Sequence, residues 1–184
     1  LCIAHAQWPN VSTGISTSGL ALSNYTQDPN WYLGTPNPIS TTATYVQPYL
    51  TGTWNITPVS ITNAGWINPS TTPGNDVPGL YAFDRKFTIY PNTCTFTTNF
   101  RIAEDDSLVS LELIPPTGPP IPLTVVLTNH VNPQYFLSRL IKKKITCPKT
   151  GVWRIRARIH YIDQIGGFLL SGRIDTTANG CTCQ

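Results

Sequence analysis

Three consecutive carboxylates, Glu104-Asp105-Asp106, form the densest group of potential ligands in the chain. Adjacent carboxylates repel one another unless they are solvated, hydrogen-bonded or neutralised by a cation. Calcium takes oxygen ligands from a turn of this kind, so these residues are the metal candidate, although no EF-hand spacing accompanies them. The strongest cationic pattern is "GVWRIRARIHY", residues 151–161, where Arg154, Arg156, Arg158 and His160 alternate with Trp153, Ile155, Ala157, Ile159 and Tyr161. A period of two makes a β-strand with one apolar face and one cationic face. Three uses fit the cationic face: contact with an acidic polymer such as a surface polysaccharide, contact with an acidic neighbour subunit, or plain solvation that discourages unwanted strand pairing. The acidic turn offers a fourth, as a partner for the arginines across the sheet.

Little else has catalytic spacing. The three histidines stand at positions 5, 130 and 160, and neither G-x-S-x-G nor H-E-x-x-H occurs. A carboxylate pair for glycoside hydrolysis has to come from nine acids, three of them in one turn. The expectation is a protein that is not an enzyme. Trp31, Trp54 and Trp66, with Tyr32, Tyr45 and Tyr49, are enough rings for a sugar-stacking platform, but a domain of this size also needs large side chains in its core.

The cysteines read as staples. Cys181 and Cys183 are too close to pair comfortably with each other, so Cys94 and Cys147 are their expected partners in two disulfides. "CTC" also resembles half a zinc site, but no second close pair or His pair completes it. Cys2 is then the odd cysteine, suited to a bond between subunits if it belongs to the mature chain. Ala4-His5-Ala6 before Gln7 reads equally as the end of a signal peptide, with residues 1–6 its remnant, or as a chance tripeptide. Sequons at Asn10, Asn24 and Asn55 lie in the same region and fit an exported glycoprotein. Disulfides point the same way.

The elements that must position these residues follow from composition. Charged residues make up 11% of the 184 residues, against about 25% in ordinary domains. Thr, Val, Ile and aromatic residues lie between Pro, Gly and Asn punctuation, which predicts an all-β protein. Strands are expected at 80–90, 95–102, 108–114, 123–128, from 142, and at 152–161 and 168–174, the last two as a hairpin around "DQIGG". Residues 133–141 are the best helix candidate. About eight short strands with long ordered loops and little helix predict a two-sheet β-sandwich of jelly-roll type. Residues 1–30 read as an extended N-terminal arm, and residues 31–184 as the sandwich with a cysteine-containing tail.

Charge is uneven. Residues 1–75 hold a single charged side chain, Asp28, while nine of the twelve Lys and Arg lie between Arg139 and Arg173. A net charge of +3 is too small to argue for nucleic acid, and no aromatic pattern accompanies the basic cluster. No stretch approaches the roughly 20 apolar residues of a membrane helix.

The segments Asn10–Gly19 ("NVSTGISTSG"), Asp28–Trp31 ("DPNW"), Trp66–Pro69 ("WINP"), Gly79–Phe87 and Ala103–Asp106 together resemble a domain of exported bacterial surface proteins, some carrying PEP-CTERM sorting signals. The resemblance spans residues 10–114. It implies an exported jelly-roll, galactose-binding-like sandwich and no specific ligand. After the acidic turn the chain departs from that pattern, with "IPPTGPPIP" where an Asn-Gly hairpin is expected.

A long, uncharged, Thr- and Asn-rich segment can lie along a sheet edge, in its own subunit or in the next, by main-chain hydrogen bonds alone. Repeated head to tail, such a contact makes a filament. The expected function is a secreted, self-assembling subunit of an extracellular fibre or surface layer, its partners being copies of itself. The alternative is a carbohydrate-binding or adhesion module that uses aromatics and calcium.

Overall fold

The computed structural model describes residues 9–34, 42–46, 63–70, 76–123, 139–162 and 166–178. Among them are ten β-strands and no helix: β1 (Gln27–Gly34), β2 (Thr42–Val46), β3 (Ile67–Asn68), β4 (Gly79–Ile89), β5 (Thr95–Asp105), β6 (Ser107–Ile114), β7 (Ile121–Pro122), β8 (Arg139–Thr146), β9 (Gly151–Tyr161) and β10 (Gly167–Thr177). The all-β class is as the sequence predicts. The ten strands form one antiparallel sheet in the order β7-β6-β9-β4-β1-β2-β3-β10-β5-β8.

The sheet curls because its inner face is apolar along nearly every long strand. On β9, Trp153, Ile155, Ala157, Ile159 and Tyr161 are all buried, as their period of two requires. Aromatic rings then cross from one half of the sheet to the other. Trp153 of β9 meets Phe96 of β5 at 5.0 Å between centroids, and Phe83 of β4 meets Phe168 of β10 at 5.8 Å. Trp31 of β1 packs edge-on against Phe168 at 5.4 Å. Fully burying each such ring is worth roughly 1.5–3 kcal/mol, so these contacts favour the closed curl over a flat sheet.

One expected connection is different. Strands β9 and β10 are not a hairpin: β9 pairs with β4 and β6, and β10 with β5 and β3. Likewise the acidic turn links β5 to β6 without pairing them, carrying the chain from one half of the sheet to the other. A local turn looks the same in sequence whether it folds a strand back or sends it across the core. The two crossings touch, for the Ile162 amide donates to Asp106 Oδ2 at 2.6 Å. Gly166 lies so close over Tyr161 that a Cβ there would come within 2.5 Å of its ring. Of the helix candidate, Arg139–Ile141 begin β8 and the remainder lies outside the described residues. Of the strand expected at 123–128, only Leu123 is described, and its amide donates to Leu111 O at 2.7 Å.

Both outer strands carry features that resist further pairing. Strand β8 bears exposed Lys142, Lys143 and Lys144, and β7 is two residues long and ends in Pro122. No helix among the described residues is long and apolar enough to cross a membrane.

Candidate functional site

Residues 9–15 of the N-terminal arm lie against β10, next to the short pairing of β10 with β3. Pro9 O accepts from the Ile174 amide at 3.3 Å, and the Val11 and Thr13 amides donate to Gly172 O and Leu170 O at 3.0 and 2.8 Å. Two further amides of β10 find hydroxyls rather than carbonyls. Gly172 N donates to Ser12 Oγ at 3.1 Å, and Leu170 N donates to Thr13 Oγ1 at 3.1 Å. Thr13 Oγ1 in turn donates to Gly65 O at 2.7 Å, while its carbonyl accepts from Gly65 N at 2.9 Å. This accounts for an arm that is uncharged and hydroxyl-rich: Ser and Thr complete the ladder where the backbone does not. Val11 is fully buried in the core. Gly14, at φ 66°, passes so close to Gly65 that a Cβ would lie 2.7 Å from its Cα.

One carboxylate fastens the arm. Asp28, the only charge in the first 75 residues, is wholly buried. Its Oδ2 accepts from Gly14 N at 2.7 Å, and its Oδ1 accepts from the amides of Asn30 and Trp31 at 2.8 and 3.3 Å. Burial pushes the Asp28 carboxyl up, against the pull of these donors and of Arg85. Asn30 Nδ2 donates to Ile15 O at 2.7 Å, and Trp31 Nε1 donates to Val11 O at 3.2 Å. Two segments singled out in the sequence, Asn10–Gly19 and Asp28–Trp31, are therefore one device. The sequence signal for it was a lone charge in a neutral region, followed by the Asx-turn chemistry of Asp-Pro-Asn.

The arginine face of β9 has anions of its own. Asp84 of β4 accepts two hydrogen bonds from Arg156, from Nε at 2.8 Å and Nη2 at 2.7 Å, and a third from Arg154 at 3.1 Å. Glu112 of β6 accepts from Arg158 at 2.8 Å. The partners are thus the flanking strands and not the acidic turn, because the register puts Asp84 and Glu112 directly opposite Arg156 on either side. Arg156 is 7% exposed, so it is not solvated strand surface.

Glu104 and Asp105 are the buried end of β5 rather than an exposed loop. Glu104 pairs with Arg139 of β8, and burial pushes its carboxyl up to about 7 against that partner. Its Oε2 is buried without a hydrogen-bond partner among the described residues. Among those residues, no group of three or more His, Cys, Asp or Glu is arranged to hold a metal ion.

The same end of the sheet holds a polar knot that the sequence did not reveal. Asn68 of β3 donates through Nδ2 to Asp76 Oδ2 at 2.6 Å and to Gly166 O at 2.9 Å. Asp76 is 4% exposed, and burial pushes its carboxyl up. Nothing in the loop "STTPGNDVPG" separates a buried Asp from a solvated one.

Trp31 and Trp66 are core residues, 0% and 3% exposed, so neither belongs to a sugar platform. Trp31 sits in the main core, and Trp66 covers Ala103 and Leu169 on the outer face. Tyr32 and Tyr45 are half-buried. Cys94 and Cys147 are both disulfide-bonded, and Cys147 N donates to Cys94 O at 2.8 Å. Asn10 and Asn24 are exposed, as an acceptor of glycan must be. Cys2, Cys181, Cys183, Trp54, Asn55 and Tyr49 lie outside the described residues. No protein-family model matches the chain, and no curated protein is significantly similar to it.

Proposed function

We propose that the chain is a non-catalytic, exported β-sheet subunit of an extracellular fibre or surface layer, joined head to tail by its N-terminal arm. The observation that carries this reading is the chemistry of the arm's seat on β10. Its polar contacts are main-chain and hydroxyl hydrogen bonds, with Val11 as the apolar anchor. The same bonds form equally well if the arm comes from a neighbouring copy, which is strand addition in trans. Residues 17–21 are exposed and lie between the seated segment and β1, so they are a natural hinge for such an exchange. Guarded edges at β7 and β8 leave the arm's lane on β10 as the favoured place for addition.

On this reading the curled sheet is a jelly-roll-type sandwich like those of the bacterial surface domains it resembles. The sequons and disulfides belong with export, and Cys2 and the cysteine tail are suited to locking subunits together. The test is electron microscopy of the native, non-reduced protein with and without an excess of synthetic peptide spanning residues 7–27. Regular filaments that shorten with the peptide are the expected result. Dispersed monomers at every concentration overturn the reading.

A further inference from the structure

The outer face of β8, β5 and β10 carries a second set of cations, and most of these make no ion pair among the described residues. The register sets them in rows. Lys142 lies opposite Asn99, which lies opposite Arg173; Leu140, Arg101 and Ser171 form the next row; and Lys144, Thr97 and Asp175 form the row on the other side. Asn10 of the arm bridges to Arg173 and extends the first row. Arg173 is ion-paired with Asp175 at 2.8 Å. Arg101, Lys142 and Lys144 make no ion pair among the described residues.

Spacing decides what such a face fits. Lys142 and Lys144 are two residues apart on one strand, roughly 7 Å, and Arg173 is two strands from Lys142, roughly 10 Å. One small anion cannot bridge that span, whereas the repeating anions of a polymer can. Between the cations stand Thr95, Thr97, Asn99, Ser171 and Thr177, donors and acceptors suited to hydroxyl groups. These rows contain no aromatic ring, and base stacking on aromatics is the usual device for single-stranded nucleic acid. Strand addition also leaves this face open, since the arm occupies the edge of β10 and not its surface.

We infer that the outer face of β8, β5 and β10 binds a linear acidic polysaccharide through Arg101, Lys142, Lys144 and Arg173. The arginine face of β9 does not share this role, because its guanidinium groups are held by Asp84 and Glu112 and are less exposed than Arg173, whose side chain stays 54% exposed beside Asp175.

The test is surface binding of the full chain to immobilised polygalacturonate, dextran sulfate and neutral dextran, with a single-stranded oligonucleotide and phosphatidylserine vesicles as competitors. The expected result is capture by an acidic polymer and not by neutral dextran, with affinity falling steeply as salt rises. Preference for polygalacturonate assigns carboxylate groups, and preference for dextran sulfate assigns sulfate. Combining Lys142→Gln with Lys144→Gln lowers affinity about 25-fold, about 5-fold per cation. Lys86→Gln, which removes one charge on the other half of the sheet, leaves affinity unchanged, where each of the two lysine replacements alone costs about 5-fold. Absence of capture at low salt, equal loss in the Lys86 variant, or tighter binding of the oligonucleotide or the vesicles overturns the inference.

Discussion

The two outer faces of the curled sheet each carry four cations, yet they are built for different ends. On β4, β9 and β6, Lys86, Arg154, Arg156 and Arg158 stand among Asp84 and Glu112, and Arg156 is almost wholly buried in a bidentate pair. On β8, β5 and β10, the ion pair seen among the described residues for the four cations is Arg173 with Asp175. Arginine suits the first face because its planar fork matches a carboxylate and tolerates burial. Lysine suits the edge strand of the second, because an ammonium stays hydrated and blunts edge pairing. Counting positive residues does not separate the two faces. The position of acids one strand away does.

The largest test of this contrast is removal of one cation from each face. Arg156→Ala leaves Asp84, 1% exposed, with Arg154 alone and costs about 3 kcal/mol, because an under-compensated buried charge remains. Lys142→Ala, on exposed strand, changes stability by less than about 0.5 kcal/mol. Urea unfolding of both variants measures the difference, and equal losses erase the contrast.

The second test concerns the inner side of the lysine-bearing half, where Glu104 meets Arg139. Glu104 is pushed up to about 7 in the folded chain from an ordinary 4.5, so the folded state holds its proton more tightly than the unfolded one. Its contribution is complete below pH 4.5 and is lost as pH rises through about 7, a change of up to about 3 kcal/mol. Asp28 and Asp76 shift in the same direction and add to the same slope. Unfolding free energy measured from pH 4 to pH 8 should therefore fall, and Glu104→Gln should flatten most of the fall. A curve that rises with pH breaks this account.

The smallest effect sharpens the arginine face. Gly34 of β1 sits above the Asp84–Arg156 pair, and a Cβ there would come 2.6 Å from Asp84 Oδ2 and 3.1 Å from Arg156 Nη2. Gly34→Ala should cost about 1–2 kcal/mol by crowding that pair. Thermal unfolding that matches the parent chain would show that the pair has room to move.

The strand content was legible because period-two patterning is local. "GVWRIRARIHY" and "TFTTNFRI" declare their buried faces without help from any partner. The crossings after β5 and β9 were not legible, since the turn residues Asp106 and Gly166 serve a hairpin as well as a crossover. The burial of Trp31 and Trp66 was legible as the commoner use of large rings in a domain of this size, but a ring among Pro and Thr carries no sign of what covers it. The sequence makes the arm extended and uncharged, but its latch on Asp28 needs residues 14 and 28 brought together around a turn.

By itself the sequence determined the all-β class, the apolar and cationic faces of β9, the neutral arm and the uneven charge, because each is a property of composition or of short spacing. Only the tertiary structure decided which cations have anions, that Glu104 and Asp105 lie inside, and that the arm seats on β10. Those depend on strand order and register, and apart from Arg173 with Asp175 on one strand, these pairings join residues far apart in the chain.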